Sequence, residues 1–264
     1  MPKAPRYEMN LDFLQKIKEK IRDFFKENGF ACDGCGAEIF DYPVHRLCEG
    51  CKGKMRKNKG RTCPKCGRKT AAEGVCLSCK SHLPRFTRGY SPFVYRGETA
   101  AFINRIKNGT PALAAYFAEC MAEQLIKEHQ NFERFLSGES LLVVPVPLTE
   151  KRRLERGFNQ AEELGVTLCK RLKESGYGVE LDTEILQKTR ETAQQKHMDR
   201  KARQENGAGA YHVHKRKECR DRTIILVDDI MTTGATGSEC AARLLGAGAK
   251  EVIFLVAASL PEMR

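Results

Sequence analysis

Eight cysteines fall into four Cys-x-x-Cys pairs between residues 32 and 79: Cys32/Cys35, Cys48/Cys51, Cys63/Cys66 and Cys76/Cys79. Two thiolates on one short turn form a metal-binding unit, and four such units supply two closed tetrahedral sets. The N-terminus has no uncharged core after its basic residues. No secretory signal is therefore expected, and the thiols are read as reduced, cytoplasmic and zinc-binding rather than as a disulfide frame. "CDGCGAEI" and "CPKCGRKT" place Gly after the second Cys, whereas "CEGCKGK" and "CLSCKSH" place Lys there. This opener-closer repeat predicts consecutive pairing. Cys32, Cys35, Cys48 and Cys51 would hold one zinc, and Cys63, Cys66, Cys76 and Cys79 a second; an interleaved cross-brace is the alternative. Sites closed by four thiolates are structural, because no coordination position is left for water. Cys120, Cys169, Cys219 and Cys240 stand singly and read as small buried residues.

The other chemistry-bearing stretch is "RTIILVDDIMTTGATG", residues 222–237. Ile224–Val227 reads as a buried central strand, apolar on both faces. Asp228 and Asp229 are costly at its end unless a cleft brings cations or hydroxyls to them. Thr232-Thr233-Gly234-Ala235-Thr236 is a small-residue loop, and Ser238–Leu245 has helical spacing. Strand, acidic pair, hydroxyl-rich loop and helix N-terminus make a resting place for a phosphate on backbone N–H groups. An exposed turn after a core strand would also place two aspartates together. The magnesium strand of a P-loop NTPase needs G-x-x-x-x-G-K-[ST], which the chain lacks. A phospho-acceptor domain would carry its acidic strand ends early, not in the last quarter.

"IILVDDIMTTGAT" resembles the phosphoribosyl pyrophosphate signature of the type I phosphoribosyltransferases. The resemblance implies that Asp228 and Asp229 meet the ribose hydroxyls, directly or through magnesium. It implies that Ile230, Met231, Thr232, Thr233, Gly234, Ala235 and Thr236 cradle the 5′-phosphate, with Gly234 allowing close backbone approach. "PVPLTEKRRLERGFNQ" stands where the family has its pyrophosphate loop, so Lys151, Arg152, Arg153 and Arg156 would meet a leaving pyrophosphate. The polar stretch 187–208, with Gln195, Arg200 and Arg203, matches the family's mobile loop, and a plain polar loop is the competing view. A double Cys₄ ribbon ahead of such a domain, with "FVYRGETAAFINRIKNG", "VPVPL", "RGFNQA" and "TAQQKHMDRKARQENGAGAYHV", is similar to the ComF competence family. That similarity implies a cytoplasmic role in natural transformation and DNA uptake. Single-stranded DNA and a DNA translocase or another competence protein would be the partners.

These groups must be positioned by the elements around them. The expected organisation is an amphipathic helix extension over 1–29, a double zinc ribbon over 30–86, and a phosphoribosyltransferase-like domain over 87–264. In the extension, Leu11, Leu14, Ile17, Ile21 and Phe24 form one stripe. From residue 87 strand and helix patterns alternate, which predicts an α/β domain with a mostly parallel sheet flanked by helices. Thr99–Lys107 reads as a helix; Thr110 caps another that starts at Pro111 and runs to about His129. "SLLVVPVPL" reads as a buried strand, "TEKRRLERG" as a charged loop, and Asn159 with Glu162 as a capping box for Gln160–Lys173. "LDTEILQKTR", "AYHVHK" and "KEVIFLVAAS" supply further strands, with His212 and His214 on a solvated face.

The chain carries a formal charge of +12. Residues 52–69 hold nine Lys or Arg and no acid. Polyanions or phosphorylated small molecules are the natural partners of such a surface, although a solvated basic face would look the same. Only Phe40 and Tyr42 lie near enough to offer base stacking. No apolar run approaches the roughly 18 residues of a membrane span. Three functions fit: a competence protein with a ribose-phosphate pocket, a working phosphoribosyltransferase whose acceptor the sequence does not specify, and a zinc-ribbon adaptor on an α/β scaffold.

Overall fold

The computed structural model describes residues 30–39, 45–110, 112–132, 141–189 and 209–262. The expected N-terminal helix, Phe40, Tyr42, Pro111 and the loop residues Gln195, Arg200 and Arg203 lie outside them. The chain divides into two compact units, 1–52 and 53–264. In the first, β1 (Phe30–Ala31) and β2 (Glu38–Ile39) form an antiparallel knuckle ahead of the helix α1 (Glu49–Lys54), which begins one residue after Cys48 and crosses the division.

The second unit opens with the Cys63–Cys79 knuckles and their short helix α2 (Leu77–Ser81), followed by β3 (Arg88–Tyr90) and β4 (Phe93–Val94). The border expected between residues 86 and 87 falls inside this unit. The reason is close packing of knuckle on strand. A Cβ on Gly67, whose φ is +72°, would lie 2.4 Å from the Gly89 carbonyl oxygen, so only glycine permits the approach. Gly89 N–H also donates to Lys65 O at 2.8 Å.

Helices α3 (Gly97–Lys107) and α4 (Leu113–Phe132) lead to β5 (Leu141–Pro145), every residue of which is buried. Then follow α5 (Glu150–Arg156), α6 (Gln160–Glu174), β6 (Val179–Leu181), the antiparallel pair β7 (Leu186–Lys188) and β8 (Tyr211–Val213), and α7 (Arg216–Cys219). The chain closes with β9 (Thr223–Met231), α8 (Ala235–Gly246) and β10 (Glu251–Ser259). The main sheet has the order β3-β10-β9-β5-β6, with β4 also on β10, and all its pairings are parallel. This is the α/β architecture expected, and β9 and β10 are apolar on both faces because helices cover both.

Two local expectations are corrected. "TEKRRLERG" is not a loop. Thr149 caps α5 by accepting the Arg152 N–H on Oγ1, and Gly157 ends it at φ 77°, so a charged stretch with good helix formers becomes a full helix. The strand carrying the acidic pair does not stop there either: β9 runs on to Met231, still paired with β10. What ends is its other neighbour. β5 pairs with β9 only as far as Pro145 opposite Val227, since prolines cannot extend the ladder.

Candidate phosphate and ribose site

Among the described residues, the end of β5 leaves one edge of Asp228–Met231 without a neighbouring strand at the C-terminal end of the sheet, where ligands of open α/β sheets collect. Asp228 and Asp229 are both half-buried there. Asp228 Oδ1 accepts the Asp229 N–H at 2.8 Å, which fixes the first carboxylate against the strand. Burial first, and then the neighbouring Asp229 charge, push the Asp228 carboxyl up to about 8, partly offset by the Asp229 backbone N–H and then by Lys107. Asp229 Oδ2 lies 2.8 Å from Lys107 Nζ, at the last residue of α3. Nothing in the sequence marks Lys107 out, although it sits in the quoted "NRIKNG"; a basic residue in a last helical turn is too common a signal to single out. Two carboxylates suit a hard cation such as magnesium, and here one of them already meets a lysine.

The loop after β9 forms a shallow concavity with Asp228 and Phe254. Gly234 is left-handed, φ 84°, at the N-cap of α8, and Thr233 Oγ1 accepts the Ala235 N–H at 3.3 Å. A Cβ on Gly234 would find only ordinary contact, 3.7 Å from Met231 Sδ, so within the protein it is the backbone angle that calls for glycine. Ile230 and Met231 belong to the strand, and Met231 is buried. Thr232 to Thr236 make the loop and the first turn of α8.

The four cations assigned to pyrophosphate divide into two pairs. Arg153 makes a bidentate pair with Glu162, both bonds 3.1 Å, and Arg156 donates to Gln160 Oε1 at 2.9 Å. These two tie α5 to α6. Lys151 is exposed and Arg152 half-buried. Asn159 caps α6, accepting the Ala161 N–H at 3.1 Å, while its amide reaches Val146 O and Glu162. His212 and His214 are exposed, as expected of a solvated face.

The cysteines gather consecutively, not in a cross-brace: Cys32, Cys35, Cys48 and Cys51 form one tetrad and Cys63, Cys66, Cys76 and Cys79 the other. Sγ–Sγ separations are 3.8 Å for Cys32–Cys51 and 3.7 Å for both Cys35–Cys48 and Cys66–Cys76. A tetrahedron with zinc–sulfur bonds near 2.3 Å has edges of about 3.8 Å. The donor set therefore fits zinc. Backbone N–H groups of Gly34, Cys48, Cys51 and Cys76 point at cysteine sulfurs at 3.3–3.4 Å, where they stabilise and orient thiolates. Hydrogen bonds with Cys66 and then Cys79 push the Cys63 thiol down. The bonds with Cys63 and then Cys66 push Cys79 up. A divalent cation would let all four ionise.

Of the nine cations in residues 52–69, Lys54, Arg56, Lys57, Lys59, Arg61 and Lys69 are exposed. Lys65 donates to Thr87 O, and Arg68 is turned inward. Among the described residues no helix is long and apolar enough to cross a membrane.

A phosphoribosyl transferase domain model matches residues 161–263. The DNA utilization protein YhgH of Escherichia coli is 29% identical over 78% of this chain and 87% of its own length. The competence protein ComFC of Bacillus subtilis is 26% identical over 78% and 80%. Among solved structures, a hypoxanthine phosphoribosyltransferase from Trypanosoma cruzi aligns with a TM-score of 0.37 at 12% identity, over 56% of this chain and 77% of that one. A glutamine phosphoribosylpyrophosphate amidotransferase from B. subtilis aligns at 0.34 and 17% identity, over 55% of this chain and 26% of that one.

Proposed function

We propose that this chain, ComF-like by its matches to ComFC and YhgH proteins and carrying a phosphoribosyltransferase-like domain, handles incoming single-stranded DNA in the cytoplasm during natural transformation, and that it keeps a working pocket for phosphoribosyl pyrophosphate or a related ribose phosphate. One observation carries the pocket: Asp228 and Asp229 stand where β5 ends and β9 continues, one loop before the N-terminus of α8.

In this reading Asp229 and Asp228 accept hydrogen bonds from the ribose diol. The 5′-phosphate rests on the N-terminal end of α8, with Thr232, Thr233 and Thr236 as hydroxyl donors. Lys151 and Arg152, the two cations of α5 not tied to α6, meet the pyrophosphate. Magnesium, when bound, would be held with the acidic pair and would neutralise diphosphate oxygens. Zinc in the two tetrads is structural. The exposed cations of residues 54–69 offer DNA a sequence-independent phosphate contact. A DNA translocase or another competence protein is the partner this role calls for.

The test is transformation of a deletion strain complemented with the Asp228→Asn, Asp229→Asn double variant. Loss of transformation at normal protein level is the expected result; full complementation would separate the pocket from DNA uptake. Pyrophosphate release from phosphoribosyl pyrophosphate with a nucleobase acceptor would instead favour an active phosphoribosyltransferase.

A further inference from the structure

The second cysteine tetrad and the phosphate loop share one side chain. Arg68, only 5% exposed, donates from Nε to Cys66 Sγ at 3.3 Å and from Nη2 to the Thr232 carbonyl at 2.9 Å. Burying a guanidinium costs desolvation, and it is tolerated where fixed acceptors meet its planar fork on two sides. The consequence for the loop follows from peptide geometry. No cis peptide bond occurs among the described residues, so the Thr232 C=O and the Thr233 N–H point in opposite directions. Holding that carbonyl aims the Thr233 N–H away from Arg68. The N–H groups of Thr233 and Gly234 have no protein acceptor among the described residues, as expected of the orphan donors at a helix start. Two bonds lie nearby without touching the loop itself: Leu77 N–H, beside the tetrad, donates to Glu262 Oε1 past the end of β10 at 2.6 Å, and Arg85 N–H donates to Ser238 Oγ, in the first turn of α8, at 3.0 Å.

We propose that Arg68 is a positioning residue through which metal at the second tetrad orders the phosphate loop. A metal-bound Cys66 thiolate fixes the guanidinium, and the guanidinium fixes the Thr232–Thr233 peptide. Metal at the first tetrad, in the other compact unit, does not act on the loop. Coupling is reciprocal, so an anion seated on the loop tightens metal at the second tetrad by the same factor. The identity of that anion rests on the ribose-phosphate reading above; the link from tetrad to loop does not.

Amide hydrogen exchange on the full-length, zinc-loaded protein tests the link without any ligand. Arg68→Met is expected to keep two zinc ions per chain and to speed exchange at residues 232–236 about tenfold, with β10 unchanged. Arg68→Lys behaves like Arg68→Met, because a point charge cannot span two acceptors. Cys35→Ser, which opens the first tetrad, leaves loop exchange as in the parent protein. The proposal is overturned if Arg68→Met exchanges like the parent or loosens β10 as well, or if Cys35→Ser loosens the loop equally. A second arm measures equilibrium zinc affinity by chelator competition, with ribose 5-phosphate as the probe. The affinity of one of the two zinc ions should rise about threefold in the parent and not in Arg68→Met, and an unchanged affinity in a parent that binds ribose 5-phosphate overturns the coupling. If ribose 5-phosphate fails to bind the parent, the ribose-phosphate reading falls, and the exchange arm alone decides the role of Arg68.

Discussion

Lys107 Nζ stands 2.8 Å from Asp229 Oδ2, so a lysine at the end of α3 covers one of the two carboxylates that β9 carries where β5 ends beside it. A cation already in place neutralises half of the acidic pair before any ligand arrives. In the proposed reading, a ribose diol or a magnesium ion shares Asp229 with Lys107 or displaces it.

Replacing Lys107 exposes that competition. Lys107→Met should destabilise the fold by about 1–3 kcal/mol, the cost of leaving a largely buried carboxylate unpaired. It should also strengthen magnesium binding, because the site gains net negative charge. Thermal melts across a magnesium titration check both. Lys107→Met combined with Asp229→Asn should recover part of that stability, as coupled pairs do.

The pH dependence of stability follows from Asp228, whose carboxyl is raised from 3.8 to about 8 by burial first and then by Asp229. Between those values the folded chain holds a proton that the unfolded chain has released. Stability contributed at this position is therefore intact below pH 4, declines as pH rises, and levels off above about pH 8. Asp228→Asn removes that decline. Melting curves from pH 5 to 9 should show the variant gaining on the parent as pH rises; a constant difference would sink the assignment.

The cations of α5 should part in function as they do in structure. Arg152→Ala should weaken phosphoribosyl pyrophosphate binding about tenfold with little change in melting, since a charge-assisted contact is worth roughly 1.5–3 kcal/mol. Arg153→Ala, which breaks the Glu162 pair on a largely exposed side chain, should shift binding less than twofold and lower the melting temperature slightly. Titration calorimetry beside thermal melts separates the two.

DNA binding through the basic segment has a salt signature. Substituting Lys54, Arg56, Lys57 and Lys59 with Ala should reduce the salt slope for single strands by about 0.7 for each phosphate that the protein no longer neutralises. An unchanged slope in filter binding would place the DNA elsewhere on the surface.

Much of this protein is legible along the chain. Cys-x-x-Cys spacing marks four metal-binding pairs, and an apolar strand with Asp-Asp before a Thr/Gly loop marks the candidate pocket, because each signal is local: the groups lie within a few residues of one another along the chain. The Gly and Lys positions after each knuckle point to consecutive pairing but leave a cross-brace open, and the gathered tetrads decide it. The sequence also determined the alternation of strands and helices that makes the sheet parallel, through periodicity and proline. Only the tertiary structure decided which cations matter. Lys107, Arg68 and Arg153 look alike in a chain with 46 Lys and Arg; one meets Asp229, one holds Thr232 and one braces α6. Those assignments depend on which distant segments the packing of glycines 67 and 89, and the ending of β5 at Pro145, bring to the same end of the sheet. Spacing encodes contacts between neighbours on one element; a contact across elements is set by close packing of the whole core.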